Sequence, residues 1–67
     1  MAKFEVAVMT ADEMVGEDIT VDAADEAGAR LAALDYFDNV SHDDLPIKSE
    51  ADLMSQMGVK IVCVTAL

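Results

Sequence analysis

Apolar and polar residues alternate from Lys3 to Thr10. Phe4, Val6 and Val8 fall on one side, and Lys3, Glu5, Ala7 and Met9 on the other. This period of two predicts a half-buried first strand. Ala11 to Gly16 carries turn residues and suits a hairpin connection. Alternation resumes over residues 17–23, with Ile19, Val21 and Ala23 on the inward side and Asp18, Thr20 and Asp22 outward. A second strand, antiparallel to the first, follows.

The period then changes. Asp25 is a good helix N-cap, and Glu26 suits the positive end of the first turn. A helix is predicted from about Glu26 to Phe37 or slightly beyond, with Ala29, Ala32, Ala33, Tyr36, Phe37 and Val40 on one side and Asp35 and Asp38 opposite. Gly28, unfavourable inside a helix by about 1 kcal/mol relative to alanine, suggests close approach of the helix backbone to the sheet. Asn39 to Ile47 is a polar connection in which Pro46 forbids helix. Ser49 with Asp52 resembles a capping box, so a short helix Glu50 to Met57 is predicted, stopped by Gly58. The β-branched run of residues 59–66 makes a third strand.

The expected fold class is therefore α+β, in the order β-β-α-(short α)-β. One domain spans 1–67, a three-stranded, largely antiparallel sheet with one long helix packed on one face. The first strand is expected in the centre, and the orientation of the third is left open. The third strand is apolar on both sides, with Ile61 and Cys63 on one and Val62 and Val64 on the other. One helix covers only one sheet face. The expected consequence is an apolar patch of Ala7, Met9, Val62 and Val64 for self-association as a homodimer. The alternative is that the short helix or the Asn39–Ile47 segment folds over it.

Composition sharpens this picture in two ways. The apolar fraction of 54% includes 11 alanines, so few large side chains are available for a core in 67 residues. The 14 acidic residues against 4 basic ones give a net charge of −10. Such a field repels nucleic acid and anionic membranes and attracts basic surfaces. With Lys3, Arg30, Lys48 and Lys60 scattered along the chain, there is no footprint for direct nucleic-acid binding.

Candidate chemistry is sparse. Cys63 is the only cysteine and sits in an apolar strand, which reads as packing rather than reactivity. His42 is the only histidine; with Asp43 and Asp44 it supplies one loop cluster, whereas a catalytic zinc site draws on about three protein ligands rich in His or Cys. No EF-hand or glycine-rich phosphate loop is present, and Ser41, His42 and Asp43 are too close in sequence to converge as a triad. The expectation is no enzyme, no metal and no cofactor. The apolar run after Lys3 is broken by Glu5 and does not read as a secretory signal, and no stretch approaches the ~20 apolar residues of a membrane span. A cytoplasmic location is expected.

The remaining signal is the acids. Asp12, Glu13, Glu17, Asp18 and Asp22 cover the hairpin and second strand; Asp35 and Asp38 lie on the helix; Asp43 and Asp44 continue through the connection. These are the expected partner-binding surface, a carboxylate array that enters a basic protein groove built for phosphates. Adaptation to high salt, simple solubility and an unrelated hydrophobic interface are competing explanations. Three lysines to one arginine and five methionines fit the first of these poorly.

The hairpin that runs into a helix through Ile19-Thr20-Val21-Asp22-Ala23-Ala24-Asp25-Glu26-Ala27, closed by a late strand, resembles small phage and mobile-element proteins. In length and acidity the whole chain resembles the DNA-mimicking anti-CRISPR proteins. That resemblance is one of size, charge and element order. It implies an inhibitor that binds a CRISPR effector complex in the host bacterial cytoplasm at a surface otherwise taken by target DNA, and it carries over no individual site residue. The second function class is a small structural or dimerising module that uses the apolar sheet face.

Overall fold

A computed structural model describes residues 1–40 and 45–67. Its elements are β1 (Ala2–Thr10), β2 (Gly16–Ala23), α1 (Glu26–Val40), α2 (Glu50–Met57) and β3 (Val59–Ala66). The sheet order is β2-β1-β3, and both neighbours run antiparallel to the central β1. β2 and β3 are thus parallel to each other on either side of β1, and the two helices form the crossover between them. This fixes the orientation of the third strand, which the pattern of residues leaves open.

Each helix is held at its ends by the residues that mark it in the sequence. At the start of α1 the Asp25 carboxylate accepts the Gly28 N–H at 2.7 Å, and the Asp25 carbonyl accepts from Ala29 N at 2.9 Å. A Cβ on Gly28 would lie 3.2 Å from that carboxylate and 3.4 Å from the Ala23 Cβ. Glycine therefore relieves crowding between the cap and the end of β2. At α2 the Ser49 hydroxyl accepts from Asp52 N at 3.1 Å, while the Asp52 carboxylate reaches back to Lys48 N, also at 3.1 Å. Gly58 ends α2 with a left-handed φ of 65°, and its N–H donates to the Met54 carbonyl.

Both helices lie on the same side of the sheet. Phe4, Val6 and Val8 of β1, Ile19 and Ala23 of β2, Ala29, Ala33, Leu34 and Phe37 of α1, Leu53 of α2 and Ile47 before it form a single buried cluster. Alanines at 29 and 33 let the α1 backbone come close to the strands. The buried stripe of α1 differs from the expected one: Leu34 is inside, whereas Tyr36 and Val40 are exposed. Rotating the helix this way buries a larger aliphatic side chain and leaves the Tyr36 hydroxyl in water, where it needs no protein partner. Tyr36 still meets Phe37 edge-on, with ring centroids 5.2 Å apart.

The expected self-association patch requires a correction. β3 contains a bulge: Ala7 faces Cys63, but Val8 faces Ile61, so Val62 is an extra residue in the ladder. The bulge switches the phase of the strand. Val64 lies opposite Val6 and packs with Val59 and Ile61 against the buried cluster, not on the open face. Ala7, Met9 and Val62 remain outside that cluster, and Cys63 rather than Val64 lies across from Ala7. Nor does α2 or Ile47 fold over the open face, since both join the core on the other side.

Four substitutions check this packing. Leu53→Ala removes a fully buried side chain and should lower the unfolding free energy by about 2–5 kcal/mol in urea denaturation, whereas Leu45→Ala, at an exposed position, should change it by under about 0.5 kcal/mol. Val64→Asp should unfold the monomer, because a carboxylate is driven into the helix-covered side. Val62→Asp should leave the circular dichroism spectrum unchanged.

Candidate functional site: the acidic surface

Among the described residues, every acid of the expected surface is exposed: Asp12, Glu13, Glu17, Asp18, Asp22, Asp35 and Asp38. Asp43 and Asp44, and with them His42, lie outside the described residues. The scaffold does not hold these carboxylates in one plane. Period-two alternation and register place Asp18 and Asp22 on the face of β2 away from the helices, opposite Ala7 and Lys3. Asp35 and Asp38 belong to α1, on the other side of the sheet. Glu17, opposite Val8, stands on the helix side beyond the core.

Their surroundings divide the acids into three groups. The first is paired. Lys3 Nζ lies 3.3 Å from Asp22, Lys60 Nζ 3.1 Å from Glu13, and Arg30 bridges Glu26 at 3.7 Å and Glu50 at 3.0 Å. These are solvent-accessible pairs, each worth about 0–1 kcal/mol. Their larger effect is local neutralisation, which takes Glu13 and Asp22 out of any uncompensated field.

The second group holds the backbone. Asp38 accepts the Ile47 N–H at 2.9 Å, tying the end of α1 to the segment before α2. Asp12 organises the hairpin tip. The Thr10 hydroxyl donates to its carboxylate at 2.5 Å and Met14 N donates to the same oxygen at 3.1 Å. Next to it Glu13 adopts a left-handed φ of 62°, and its N–H donates to the Thr10 carbonyl. The Thr10 hydroxyl bond, followed by the Met14 N–H, holds the Asp12 carboxyl below its ordinary value of 3.8.

The third group has neither an ion pair nor a backbone bond among the described residues: Glu5, Glu17, Asp18 and Asp35. Only Asn39 Nδ2 approaches Asp35, at 3.5 Å. Glu5 lies mid-sheet on the open face between Thr20 and Thr65. Sequence reasoning omitted it from the binding surface because it reads as an ordinary outward residue of β1. Its place in the central strand, one residue pair from Asp18, is visible only once the register is known.

A shallow apolar depression of about 110 Å³ opens at the hairpin end, between Val8, Val15, Phe37 and Val59 with Glu17 at its rim. Ordinary ligand pockets begin near 300 Å³. Among the described residues, no group of three or more His, Cys, Asp or Glu side chains could hold a metal ion, and no helix is long and apolar enough to cross a membrane. Comparison with known proteins found no matching family model, no matching curated protein and no matching solved structure.

The hairpin tip supplies a pH test. A carboxyl with a lowered pKa in the folded state contributes stability that is complete above its ordinary value and lost as pH falls through the folded value. The Asp12 carboxyl should therefore titrate below 3.8 in NMR-detected titration, with the amide shifts of Met14 and Val15 following it. In Thr10→Val the midpoint should rise toward the ordinary value.

Proposed function

We propose that this chain is an acidic protein-binding inhibitor that blocks a basic nucleic-acid-binding surface by taking the place of its phosphates. The supporting observation is the density of uncompensated charge on a small rigid body. A net −10 is carried on a molecule whose longest extent is 30 Å. One DNA strand carries about 9 phosphates over that length. The chain thus matches the linear charge of a single strand, or roughly half that of a duplex. A groove that closes over one strand's backbone is a better fit than one that encircles a duplex.

The unpaired acids narrow the contact. Glu5 and Asp18 on the open sheet face, Glu17 at the β2 edge and Asp35 on α1 are not engaged by cations or by backbone N–H groups among the described residues. They are free to meet lysine or arginine without first breaking an ion pair or a backbone hydrogen bond among the described residues. Asp22, Glu13, Asp12 and Asp38 already have internal partners, so they contribute mainly to long-range attraction. In this reading the partner is a basic protein or complex in the bacterial cytoplasm. A CRISPR effector is the instance that size, charge and element order favour.

The dimerising sheet-face module is the weaker reading. Its expected patch loses Val64 to the core, and the Ala7 and Met9 positions are bordered by Glu5, Asp18 and Lys60.

The test is affinity for a partner captured from a bacterial lysate on immobilised protein. Charge reversal of Asp18 and Glu5 to lysine, or of Asp35 and Glu17 to lysine, should weaken binding by at least about tenfold in the set that touches the partner. Asp38→Lys is avoided because it removes the Ile47 cap. Unchanged affinity in both double variants, each folded by circular dichroism, would contradict the reading.

A further inference from the structure

The two free edges of the sheet are chemically opposite. In an antiparallel ladder, residues alternate between pointing both backbone groups at the neighbour and pointing both away. Thr10 N donates to the Val15 carbonyl at the mouth of the hairpin. In the observed register this turns Gly16, Asp18, Thr20 and Asp22 of β2 outward. On the other side, Leu67 N donates to the Lys3 carbonyl at 3.0 Å and Ala11 N to the Gly58 carbonyl at 2.8 Å. The same alternation, reset by the bulge at Val62, turns the backbone groups of Val59, Ile61, Val64 and Ala66 outward. No described residue pairs with them.

The β2 edge is blunted by carboxylates. Antiparallel pairing of two β2 edges about Thr20 would place Asp18 opposite Asp22 of the second copy at both ends, a like-charge arrangement that opposes association. The β3 edge has no such protection. β3 is the only one of the five elements without an acidic residue, and its single charge is Lys60. Its core-side residues Ile61 and Val64 are only partly buried, because no strand lies beyond them.

From this we infer that β3 pairs antiparallel with β3 of a second copy, extending the sheet from three strands to six. Charge selects the occupant. A basic partner is drawn to the carboxylates elsewhere, whereas a second copy of net charge −10 meets least repulsion along the one acid-free edge. The bulge is compatible with this pairing. A two-fold axis between Val62 and Cys63 sets Val59 opposite Ala66 and Ile61 opposite Val64, so all four outward residues find partners and the two bulges face each other. Lys60 then lies across from Thr65, and no like charges meet. Ile61 and Val64 of each copy cover their counterparts, continuing the core across the seam. The contact is an edge and differs from the sheet-face patch. It leaves Asp18, Glu17 and Asp35 free on each copy.

Sedimentation equilibrium of the full chain under reducing conditions, so that Cys63 cannot link copies, tests the pairing at about 0.15 M and 1 M salt. The expected result is a reversible dimer that tightens at high salt, as screening removes repulsion between the acidic copies. Ala66→Pro deletes an outward N–H and spares the bonds to β1; Val62→Glu adds a like charge at the seam on an exposed side chain. Each should raise the dimer Kd by at least about tenfold with unchanged circular dichroism, and Val62→Glu decides the matter if Ala66→Pro unfolds. Asp18→Lys should not weaken the dimer. A monomer at both salt concentrations, or a dimer indifferent to Val62→Glu, overturns the inference. Failure here is separable from failure of the inhibitor reading, because partner binding weakens with salt where self-pairing strengthens.

Discussion

Among the described residues one sheet face is covered and the other is not, and the packing of Phe4, Val6 and Val8 beneath α1 and α2 sets that asymmetry. With so few large apolar side chains, the chain can build one layer of core and no more. Both helices are recruited to that layer, α1 through Ala29, Ala33, Leu34 and Phe37, α2 through Leu53. Neither is left to shield the second face. The open face carries Lys3, Glu5, Asp18, Thr20 and Asp22, which tolerate water, beside Ala7, Met9, Val62 and Cys63.

The same economy explains how so much negative charge is borne. No polar or charged side chain is buried among the described residues, so their carboxylates keep most of their hydration. Lys3, Arg30 and Lys60 are each placed against acids. Asp12, Asp25, Asp38 and Asp52 accept backbone N–H groups at turns and helix ends. Aspartate thus marks the hairpin tip, the start of α1, the segment before α2 and the start of α2. An acid-rich sequence is partly a consequence of capping many short elements, and only the carboxylates left over are available to a partner.

Much of this was legible in the residues alone. Asp25 with Gly28, Ser49 with Asp52, and Gly58 announce helix ends by local chemistry that tertiary packing did not override. The Glu50–Met57 helix and the 59–66 strand follow from them. The phase of β3 was not legible, because Ile61, Val62, Cys63 and Val64 are apolar on both parities and fit either side of a sheet. A hint lay in Lys60 and Val64, which share a parity yet differ in polarity; a bulge between them resolves the conflict. The rotation of α1 was hidden for a similar reason. Alanines at 29, 32 and 33 define a broad stripe, and only the competition between Leu34 and Tyr36 for burial sets its centre. The acids were legible as a count and not as a surface, since which of them are paired depends on contacts as distant in sequence as Glu13 with Lys60.

The functional reading turns on whether fixed carboxylates can stand in for phosphates. Competition between this chain and single-stranded DNA for one basic DNA-binding complex captured from lysate measures that substitution directly. Mutually exclusive binding, with DNA displacing the chain and the chain displacing DNA, is the predicted result. Simultaneous binding of both to the same complex would contradict it.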